Sequence, residues 1–417
     1  MSMPHLVLAV VVAVSFALVA YAYIGYPVVI WALSRLFGRD RRRPDVDDAQ
    51  LPTVSLLIAA YNEESEIAGR IENALEMDYP ADKLEIVVAS DGSSDRTNEI
   101  VRRFARFGVK LLAFPVRRGK ANVLNDAVPG LAGDIVMLSD ANTRMHATAV
   151  QRLAAWFDDR AIGVVCGRLV LTDPRTGRNV DGLYWKYETF LKKCEGRLGA
   201  LLGSNGGIYA IRKALFQGIP PTTILDDFLI PLLALQRGGG QIIYDREAVA
   251  VEETPAEISS EFHRRARIGA GGFQSISWLA GLLNPRHGWV SFAFLSHKIL
   301  RWLCPFALIV ALAANALLVE YPAFLAMFVL QVLFYAVSLG AGRLPSGPRL
   351  LRYPRLGTMF TMMNAALLVG FFRWARGIRS ATWKRTDRAV ETPATPLVAS
   401  GPAGTDALSD LPAPSRL

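Results

Sequence analysis

The sequence predicts an α/β domain built on a mixed, Rossmann-type sheet and flanked by transmembrane helices. Short apolar segments alternate with helical segments from Val54 to about Leu171, uncharged runs lie on both sides of the central region, and polar residues follow the predicted strands. The chain has 417 residues, of which 52% are hydrophobic. It can therefore hold one large domain together with membrane segments.

The N-terminal region, residues 1–36, is predicted to be a transmembrane helix. No charged residue occurs from Leu6 to Ser34, a run of 29 residues, whereas a span needs roughly 20. The run is too long for a cleaved signal peptide, and neither Lys nor Arg precedes it. Arginines follow it between Arg35 and Arg43. Because positive charge marks the cytosolic flank of a span, we expect the next domain to lie in the cytosol.

The net charge of +9 is concentrated beside the apolar runs. Arginines follow the first run, and further arginines from Arg343 to Arg355 precede the last one. This pattern is typical of loops next to anionic lipid, so we expect the bilayer, and no nucleic acid, as a partner. The three cysteines form no CxxC pair, which argues against a zinc site or a disulfide framework.

Residues 50–275 are predicted to form the globular domain. Its first strands are Val54–Ala59, Glu85–Ala89, Lys110–Phe114 and Asp134–Leu138. Helical segments between them indicate a mostly parallel sheet with helices on both faces. Ligands of such sheets bind beyond the carboxyl ends of the strands. Since Tyr61, Asp91 and Asp140 stand at those ends, we expect the functional site there.

Residues 303–375 are predicted to be the C-terminal membrane region. Two uncharged runs predict a helical hairpin through the bilayer: Leu303–Val319 and Tyr321–Gly342. Leu356–Phe372 is a shorter third run. A full crossing by it would place the arginines that follow outside the cell, against the charge rule.

Two further segments complete the organisation of the chain. Residues 276–302 are predicted to form interfacial helices before the hairpin. Gly269, Gly271 and Gly272 precede them and are predicted to provide a hinge, and a plain amphipathic helix without a gating role is the alternative. Residues 389–417 are rich in Pro, Ala, Gly, Ser and Thr and are predicted to be a disordered tail.

Asp140 and Asn142 form the candidate metal site. Asp140 stands just after a predicted strand, and Asn142 offers a second oxygen two residues later. Mg²⁺ and Mn²⁺ take oxygen ligands and leave positions open for phosphate oxygens. A turn or helix cap is the alternative for an isolated Asp-x-Asn, but its position at the ligand-binding edge favours a metal.

A carboxylate and a basic loop follow the second and third strands. Asp91 is a candidate for contact with the base of a nucleotide. The alternative is that it belongs to a capped turn, and both roles can hold at once. The loop Arg117-Arg118-Gly119-Lys120 opens a helix, where a diphosphate can bind. A solvated run of charge is the alternative for this loop.

Later segments supply candidate groups for catalysis and acceptor binding. Asp226 and Asp227 stand side by side among apolar residues, a setting that raises one pKa as a general base requires. Capping a helix is the alternative for Asp226. The turn Gly203–Gly207 lets a bulky ligand approach the backbone. Arg264–Arg267 suits a diphosphate clamp or, alternatively, a juxtamembrane basic face.

In this order, these residues resemble the inverting family 2 glycosyltransferases of the polysaccharide-synthase type, such as cellulose, hyaluronan, chitin-oligosaccharide and poly-N-acetylglucosamine synthases. The resemblance covers roughly Leu51 to Phe372 and implies a GT-A-like fold. The donor-binding residues that it implies are Tyr61, Glu63, Asp91, Lys120, Asp140, Arg264 and Arg267. The acceptor-binding residues that it implies are Asn205, Gly206, Gly207 and Asp226. It further implies a metal at Asp140 and Asn142, and Asp227 as the base that deprotonates the acceptor hydroxyl.

The sequence departs from the family pattern at two places. Asn142 replaces the second Asp of the family's Asp-x-Asp motif, which lowers the negative charge but keeps an oxygen ligand. The family's QxxRW signature reads here as Arg264 to Ile268, with Arg267 kept and the Trp replaced by Ile268. The missing Trp favours a non-processive enzyme, whereas the C-terminal helices favour a polymer channel.

The resemblance implies a multi-pass protein of the inner cell membrane with a cytosolic catalytic domain. The implied activity is that of a metal-dependent hexosyltransferase, which transfers sugar from a nucleotide-sugar, chiefly a UDP-sugar, to a growing glycan in exopolysaccharide or cell-envelope polysaccharide biosynthesis. One alternative is a non-processive transferase acting on a lipid-linked acceptor. The other is a non-catalytic, glycan-binding or regulatory membrane subunit. An export partner or self-association is compatible with four predicted spans.

Overall fold

Eight strands form one mixed sheet in the computed structural model, which describes residues 1–172, 183–253, 258–341 and 352–378. The strands are β1 Val54–Ala60, β2 Leu84–Asp91, β3 Lys110–Phe114, β4 Ile135–Asp140, β5 Thr143–Met145, β6 Ile162–Thr172, β7 Tyr209–Arg212 and β8 Gln241–Glu253. Their order across the sheet is β3-β2-β1-β4-β7-β6-β8-β5. The four strands predicted from the sequence are all present.

Thirteen α-helices occur among the described residues. They are α1 Met3–Ala20, α2 Tyr26–Leu36, α3 Ile67–Leu75, α4 Thr97–Arg103, α5 Lys120–Ala127, α6 Ala149–Ala155, α7 Leu183–Arg197, α8 Asp226–Gln236, α9 Ile258–Trp278, α10 Trp289–Ala293, α11 Leu300–Ala316, α12 Pro322–Ala341 and α13 Arg352–Ala375. Helices α3 to α8 belong to the domain around the sheet, and α1, α2 and α9 to α13 flank it.

The half of the sheet formed by β3, β2, β1 and β4 is parallel. All seven residues of β1 are buried: Leu57 packs into the core on one face, and Leu56 and Ile58 pack into the core on the other. A strand that is covered on both faces is a continuous apolar run in the sequence. The strands of this half of the sheet could therefore be predicted from the sequence. The pairing of Ala59 with Asp140 brings the carboxyl ends of β1 and β4 to the same edge.

The other half of the sheet contains antiparallel pairs that the sequence pattern does not reveal. β7 runs antiparallel to both β4 and β6, and the short β5 runs antiparallel to β8. β6 and β8 are parallel, with a register shift between Gly167 and Arg168. This half returns the chain to the edge where β4 ends, so residues after β6 can reach the same site as Asp140.

The N-terminal helices α1 and α2 join through a π-helical turn at Tyr21–Gly25. Together they make a continuous helix, Met3–Leu36, which is long and apolar enough to cross a membrane. Pro27 lies in the first turn of α2, where its missing N–H costs the helix least. The membrane-type helix predicted for residues 1–36 is therefore present.

Three more helical stretches are long and apolar enough to cross a membrane: Trp289–Ala316, Pro322–Gly340 and Leu356–Ala375. The first differs from the prediction, which placed interfacial helices at 276–302 and began the span at Leu303. In the structure α10 continues through a π-helical segment, Phe294–Ile299, directly into α11. His297 and Arg301 of this stretch are tolerated because they pair with carboxylates of α7, a tertiary contact that the local sequence does not show.

The glycines predicted to form a hinge lie instead inside the uninterrupted helix α9. A Cβ atom at Gly269 would lie 3.3 Å from Leu367 of α13, and one at Gly271 would lie 2.6 Å from Leu225. At Gly272 it would lie 2.8 Å from the Trp302 ring. The glycines therefore allow close packing of α9 rather than bending. The predicted tail at 389–417 lies outside the described residues.

Candidate functional site

The loop that follows β3 is held by the carboxylate at the end of β2. Asp91 is fully buried, and its two oxygens accept the backbone N–H groups of Arg118 at 2.7 Å and Gly119 at 2.8 Å. Gly119 has a φ of 90°, a conformation that favours glycine. Asp91 thus positions the basic loop at the start of α5. Its contact with a nucleoside base stays a prediction.

Tyr61 and Glu63 lie beyond the end of β1. The guanidinium carbon of Arg117 lies 3.8 Å from the centroid of the Tyr61 ring, a cation–π contact that joins this segment to the basic loop. Glu63 is buried, and its backbone N–H donates to the Thr97 hydroxyl at 2.8 Å. The structure therefore places both residues beside the loop. Donor binding by them remains a prediction.

Lys120 lies between two carboxylates. Its Nζ is 2.8 Å from Asp140 Oδ1 and 3.0 Å from Asp226 Oδ2. Although burial disfavours the charged amine, Asp140 and Asp226 together raise the pKa of Lys120. The ammonium therefore stays charged and joins the end of β4 to the start of α8. The structure thus brings together groups that the sequence placed on separate motifs.

Asp227 is the second residue of α8 and stands in the same cluster. Burial and the neighbouring Asp226 carboxylate raise the pKa of Asp227 to about 6, while Lys120 opposes this shift. The Asp227 carbonyl accepts the backbone N–H of Ser204 at 3.0 Å and the Ser204 hydroxyl at 2.7 Å. The glycine-rich turn therefore fixes the start of α8. Asp226 does not cap this helix through its side chain, because it pairs with Lys120 instead.

Gly206 lies against the two carboxylates that the sequence assigned to metal and base. A Cβ atom built there would lie 3.2 Å from Asp227 Oδ2 and 3.6 Å from Asp140 Oδ2. Both oxygens therefore face the same small volume. At Gly207 a Cβ atom would lie 2.7 Å from the Thr143 hydroxyl, so this residue is small for packing. Glycine at 206 keeps the space between the carboxylates open for a ligand.

Asn205 connects the turn to α7 and β6. Its side-chain amide donates to the Gly167 carbonyl at 2.7 Å, and its Oδ1 accepts from Lys192 Nζ at 2.5 Å. With both ends of the amide engaged, Asn205 is fixed in orientation. Lys192 lies close enough to Asp227 to lower the pKa of that carboxyl, although burial and the other carboxylates outweigh it. Sequence reasoning missed Lys192, which carries no motif signal.

Asn142 is held by a partner that sequence reasoning also missed. Its Nδ2 donates to Glu252 Oε1 at 3.0 Å, across the β5–β8 pair. No cluster of three or more His, Cys, Asp or Glu side chains suited to a metal occurs within the described ranges. Asp140 and Asn142 nevertheless supply hard oxygen donors, and Mg²⁺ typically combines one or two protein carboxylates with substrate phosphates. The donor set therefore fits a cation that is shared with a diphosphate.

Tyr209 lies close enough to the carboxylates to feel their charge. It is fully buried at the start of β7, where it pairs with Leu138 of β4. Burial and the carboxylates of Asp226 and Asp227 raise the pKa of Tyr209 well above its usual range. The phenol therefore stays protonated. Only the sheet register reveals its position, since no sequence motif points to it.

The basic segment of α9 is less closely tied to the site. Arg264 is half-buried and Arg267 is exposed. No hydrogen bond or ion pair between Arg267 and the carboxylate cluster occurs among the residues that the structure describes. α9 reaches the site through Gln274, whose Oε1 accepts the N–H of Ile224 at 3.1 Å. The diphosphate clamp proposed for Arg264 and Arg267 stays a prediction.

Residues 55–217 match the family model described as "Glycosyl transferase family 2". The chain is 27% identical over 237 residues to a poly-beta-1,6-N-acetyl-D-glucosamine synthase of Staphylococcus epidermidis, covering 54% of this chain and 56% of the relative. It is 28% identical over 263 residues to a beta-monoglucosyldiacylglycerol synthase of Trichormus variabilis, covering 59% and 54%. The matched region thus spans about half the length of these curated relatives.

The fold is similar to that of a solved mannosyltransferase from Pyrobaculum calidifontis, a structure in complex with GDP-Man and Mn²⁺. The TM-score is 0.66 with 23% sequence identity, and the match covers 88% of this chain and 99% of the other. The coverage extends beyond the sheet domain into the flanking helices. At this identity the likeness concerns the fold.

Proposed function

Because residues 55–217 form a glycosyltransferase family 2 domain with a GT-A-like fold, we propose that the chain is a membrane-anchored, inverting and metal-dependent hexosyltransferase. Its donor is a nucleotide-sugar, chiefly a UDP-sugar, and its acceptor is a growing glycan of an exopolysaccharide or cell-envelope polysaccharide. The observation that carries this proposal is a buried carboxylate of raised pKa next to the carboxylate and the lysine that follow two other strands. Asp227, with a pKa raised to about 6, faces the same volume as Asp140 beside Lys120.

The reaction follows from the protonation states of these groups. Near neutral pH Asp227 is ionised but retains enough proton affinity to act as a base. It takes the proton of the acceptor hydroxyl, and the oxygen attacks the anomeric carbon from the face opposite the nucleotide. The bond from that carbon to the diphosphate oxygen breaks with its electron pair, so the anomeric configuration inverts. Asp227 leaves the step protonated.

Cationic groups of the chain stabilise the departing diphosphate. We infer that the Lys120 ammonium, which lies beside Asp140, and the backbone N–H groups at the start of α5 bind the diphosphate and stabilise the negative charge that it gains. Arg264 and Arg267 are proposed to close on the same diphosphate. A divalent cation, Mg²⁺ or Mn²⁺, held by Asp140 and Asn142 would add Lewis-acid charge stabilisation of the leaving diphosphate.

The helices that flank the domain support a membrane location. The arginines after Leu36 support, by the charge rule, a position of the sheet domain in the cytosol, where nucleotide-sugars are available. Trp302 of α11 packs edge-on against Phe228, with ring centroids 6.1 Å apart, and Phe228 follows the base Asp227. A candidate membrane helix therefore contacts the residue next to the proposed base, which supports an acceptor that approaches Asp227 from the bilayer.

A screen of radiolabelled UDP- and GDP-sugars with membranes containing the full chain tests this proposal. We expect one donor to be turned over, in a reaction that requires Mg²⁺ or Mn²⁺ and is lost on chelation. Membranes containing the Asp227→Asn variant provide the matched control. Turnover of no donor, or equal turnover by the variant, would refute the proposal. The length of the product separates a polymer synthase from a transferase that adds single sugars to a lipid-linked acceptor.

A further inference from the structure

A buried cluster of charges joins α7 to the helical stretch Trp289–Ala316. Arg301 Nη1 lies 2.6 Å from Glu188 Oε1, and Glu195 Oε1 accepts from the Tyr26 hydroxyl at 2.7 Å and lies 2.6 Å from His297 Nδ1. Although burial favours the neutral acid, Arg301 and His297 hold the pKa of Glu188 well below its usual range. Both glutamates are therefore already engaged by cations or donors.

Two lysines at the same junction, Lys192 and Lys298, make no direct ion pair within the described ranges. Lys192 Nζ donates to the Asn205 amide oxygen at 2.5 Å, and Lys298 Nζ lies 5.8 Å from the centroid of the Phe228 ring. Both side chains are half-buried. Across the parts of the chain that the structure describes, neither ammonium lies within 4.0 Å of a carboxylate oxygen. A partly desolvated ammonium that makes no direct ion pair is costly, so the two lysines are suited to binding an anion.

The two lysines flank the catalytic base. Phe228, over which Lys298 lies, directly follows Asp227, and Asn205, which Lys192 contacts, directly precedes Gly206. Gly206 lies against the Asp227 carboxylate. The neighbouring carboxylates, Asp140 and Asp226, already form ion pairs with a third lysine, Lys120. An anion bound by the lysines would therefore lie beside Asp227, and its contacts would be separate from the ion pairs of Lys120.

We propose that Lys192 and Lys298 bind a phosphate group of the acceptor, which makes the acceptor a phosphate-bearing, lipid-linked molecule. This inference rests on the proposed function and specifies its acceptor. Two ammonium groups match the charge of a phosphate monoester or diphosphate. Lys298 lies inside a helical stretch apolar enough to cross a membrane. A phosphate that reaches this position is most directly supplied by the head group of a lipid, with the reacting hydroxyl presented to Asp227.

Binding of simple probes to the full chain in detergent tests the phosphate site. The probes are a long-chain alkyl phosphate, the matching alcohol and inorganic phosphate, compared in Lys192→Gln, Lys298→Gln and the Lys193→Gln control. Lys193 is the exposed neighbour of Lys192 on α7 and has the same charge. We expect the wild-type protein to bind the alkyl phosphate about tenfold or more tighter than the alcohol. Each site variant should lose most of that preference, and the control should keep it.

Further comparisons separate the possible outcomes. Lys192→Arg and Lys298→Arg keep the charge and should retain the phosphate preference, which a purely structural role would not predict. Tighter binding of the alkyl phosphate than of inorganic phosphate supports a lipid source, whereas equal binding assigns the group to a soluble acceptor. Equal binding of alkyl phosphate and alcohol by the wild-type protein would overturn the phosphate site. Donor binding is measured on the same samples, and its absence in the wild-type protein would overturn the proposed function instead.

Discussion

Replacing Asp227 with Asn removes the proposed base and also removes a charge that the fold disfavours. Burial, Asp226 and Asp140 raise the pKa of Asp227 from 3.8 to about 6. This rise in pKa corresponds to ~3 kcal/mol of free energy that opposes the ionised form in the folded state. Because the side chain retains some solvent contact, we discount this to about 2 kcal/mol. The Asn variant should therefore be more stable than the wild-type protein at neutral pH.

The sign of this effect depends on pH. Below the unfolded pKa of 3.8 the carboxyl is protonated in both states and costs nothing. Between 3.8 and about 6 the unfolded chain ionises first, so the wild-type protein loses stability as pH rises through this window. Above the folded pKa the loss is complete. The stability gained by Asp227→Asn should thus be absent near pH 4, grow up to about pH 6 and then stay constant.

Two measurements on the same preparations check this reasoning. Sugar transfer should fall by on the order of a hundredfold or more with donor binding retained, while the wild-type rate should rise with pH through about 6. Thermal unfolding in detergent should give a higher Tm for Asp227→Asn at pH 7.5 and equal values near pH 4. Asp226→Asn is the matched control. It loses the ion pair with Lys120 and should lower the Tm.

The reasoning would be refuted by either of two results. Full transfer activity in Asp227→Asn would show that Asp227 is not the base. A lower Tm than wild type at pH 7.5 would show that its carboxylate stabilises the fold rather than opposing it. Loss of donor binding together with transfer would instead assign Asp227 to the donor site.

Two further predictions concern the metal and the junction with the membrane helices. Asp140→Asn should weaken Mn²⁺ binding in the presence of nucleoside diphosphate by about tenfold or more, whereas Asn142→Asp should strengthen it. Electron paramagnetic resonance measures the Mn²⁺ affinity. Unchanged Mn²⁺ affinity in both variants would remove these residues from the metal site. Glu188→Gln removes the buried carboxylate that pairs with the Arg301 guanidinium and should cost on the order of 3–5 kcal/mol, seen as a lower Tm in detergent. Combining it with Arg301→Met should restore much of the loss, and an equally unstable double variant would contradict the ion-pair explanation.

Several residues of the candidate site could be predicted from the sequence, because the order of strands and helices determines where the residues after each strand lie. Parallel strands end at a common edge, so polar residues after each strand, such as Asp91 and Asp140, had to converge. The pairing of Asp226 with Asp227 likewise predicted a raised pKa, which the structure assigns to Asp227. The long uncharged runs predicted the membrane-type helices, since apolar length alone sets that signal.

The sequence by itself determined the sheet edge, the acidic motifs and the helices apolar enough to span a membrane, because each depends on local periodicity or composition. Only the tertiary structure decided which charges meet. It placed Lys120 between Asp140 and Asp226, Glu252 beside Asn142, and α7 against the helical stretch Trp289–Ala316. It also turned a predicted glycine hinge into a packing surface. These contacts join residues far apart in the chain, and their energies depend on burial and on distance between charges, neither of which a local pattern records.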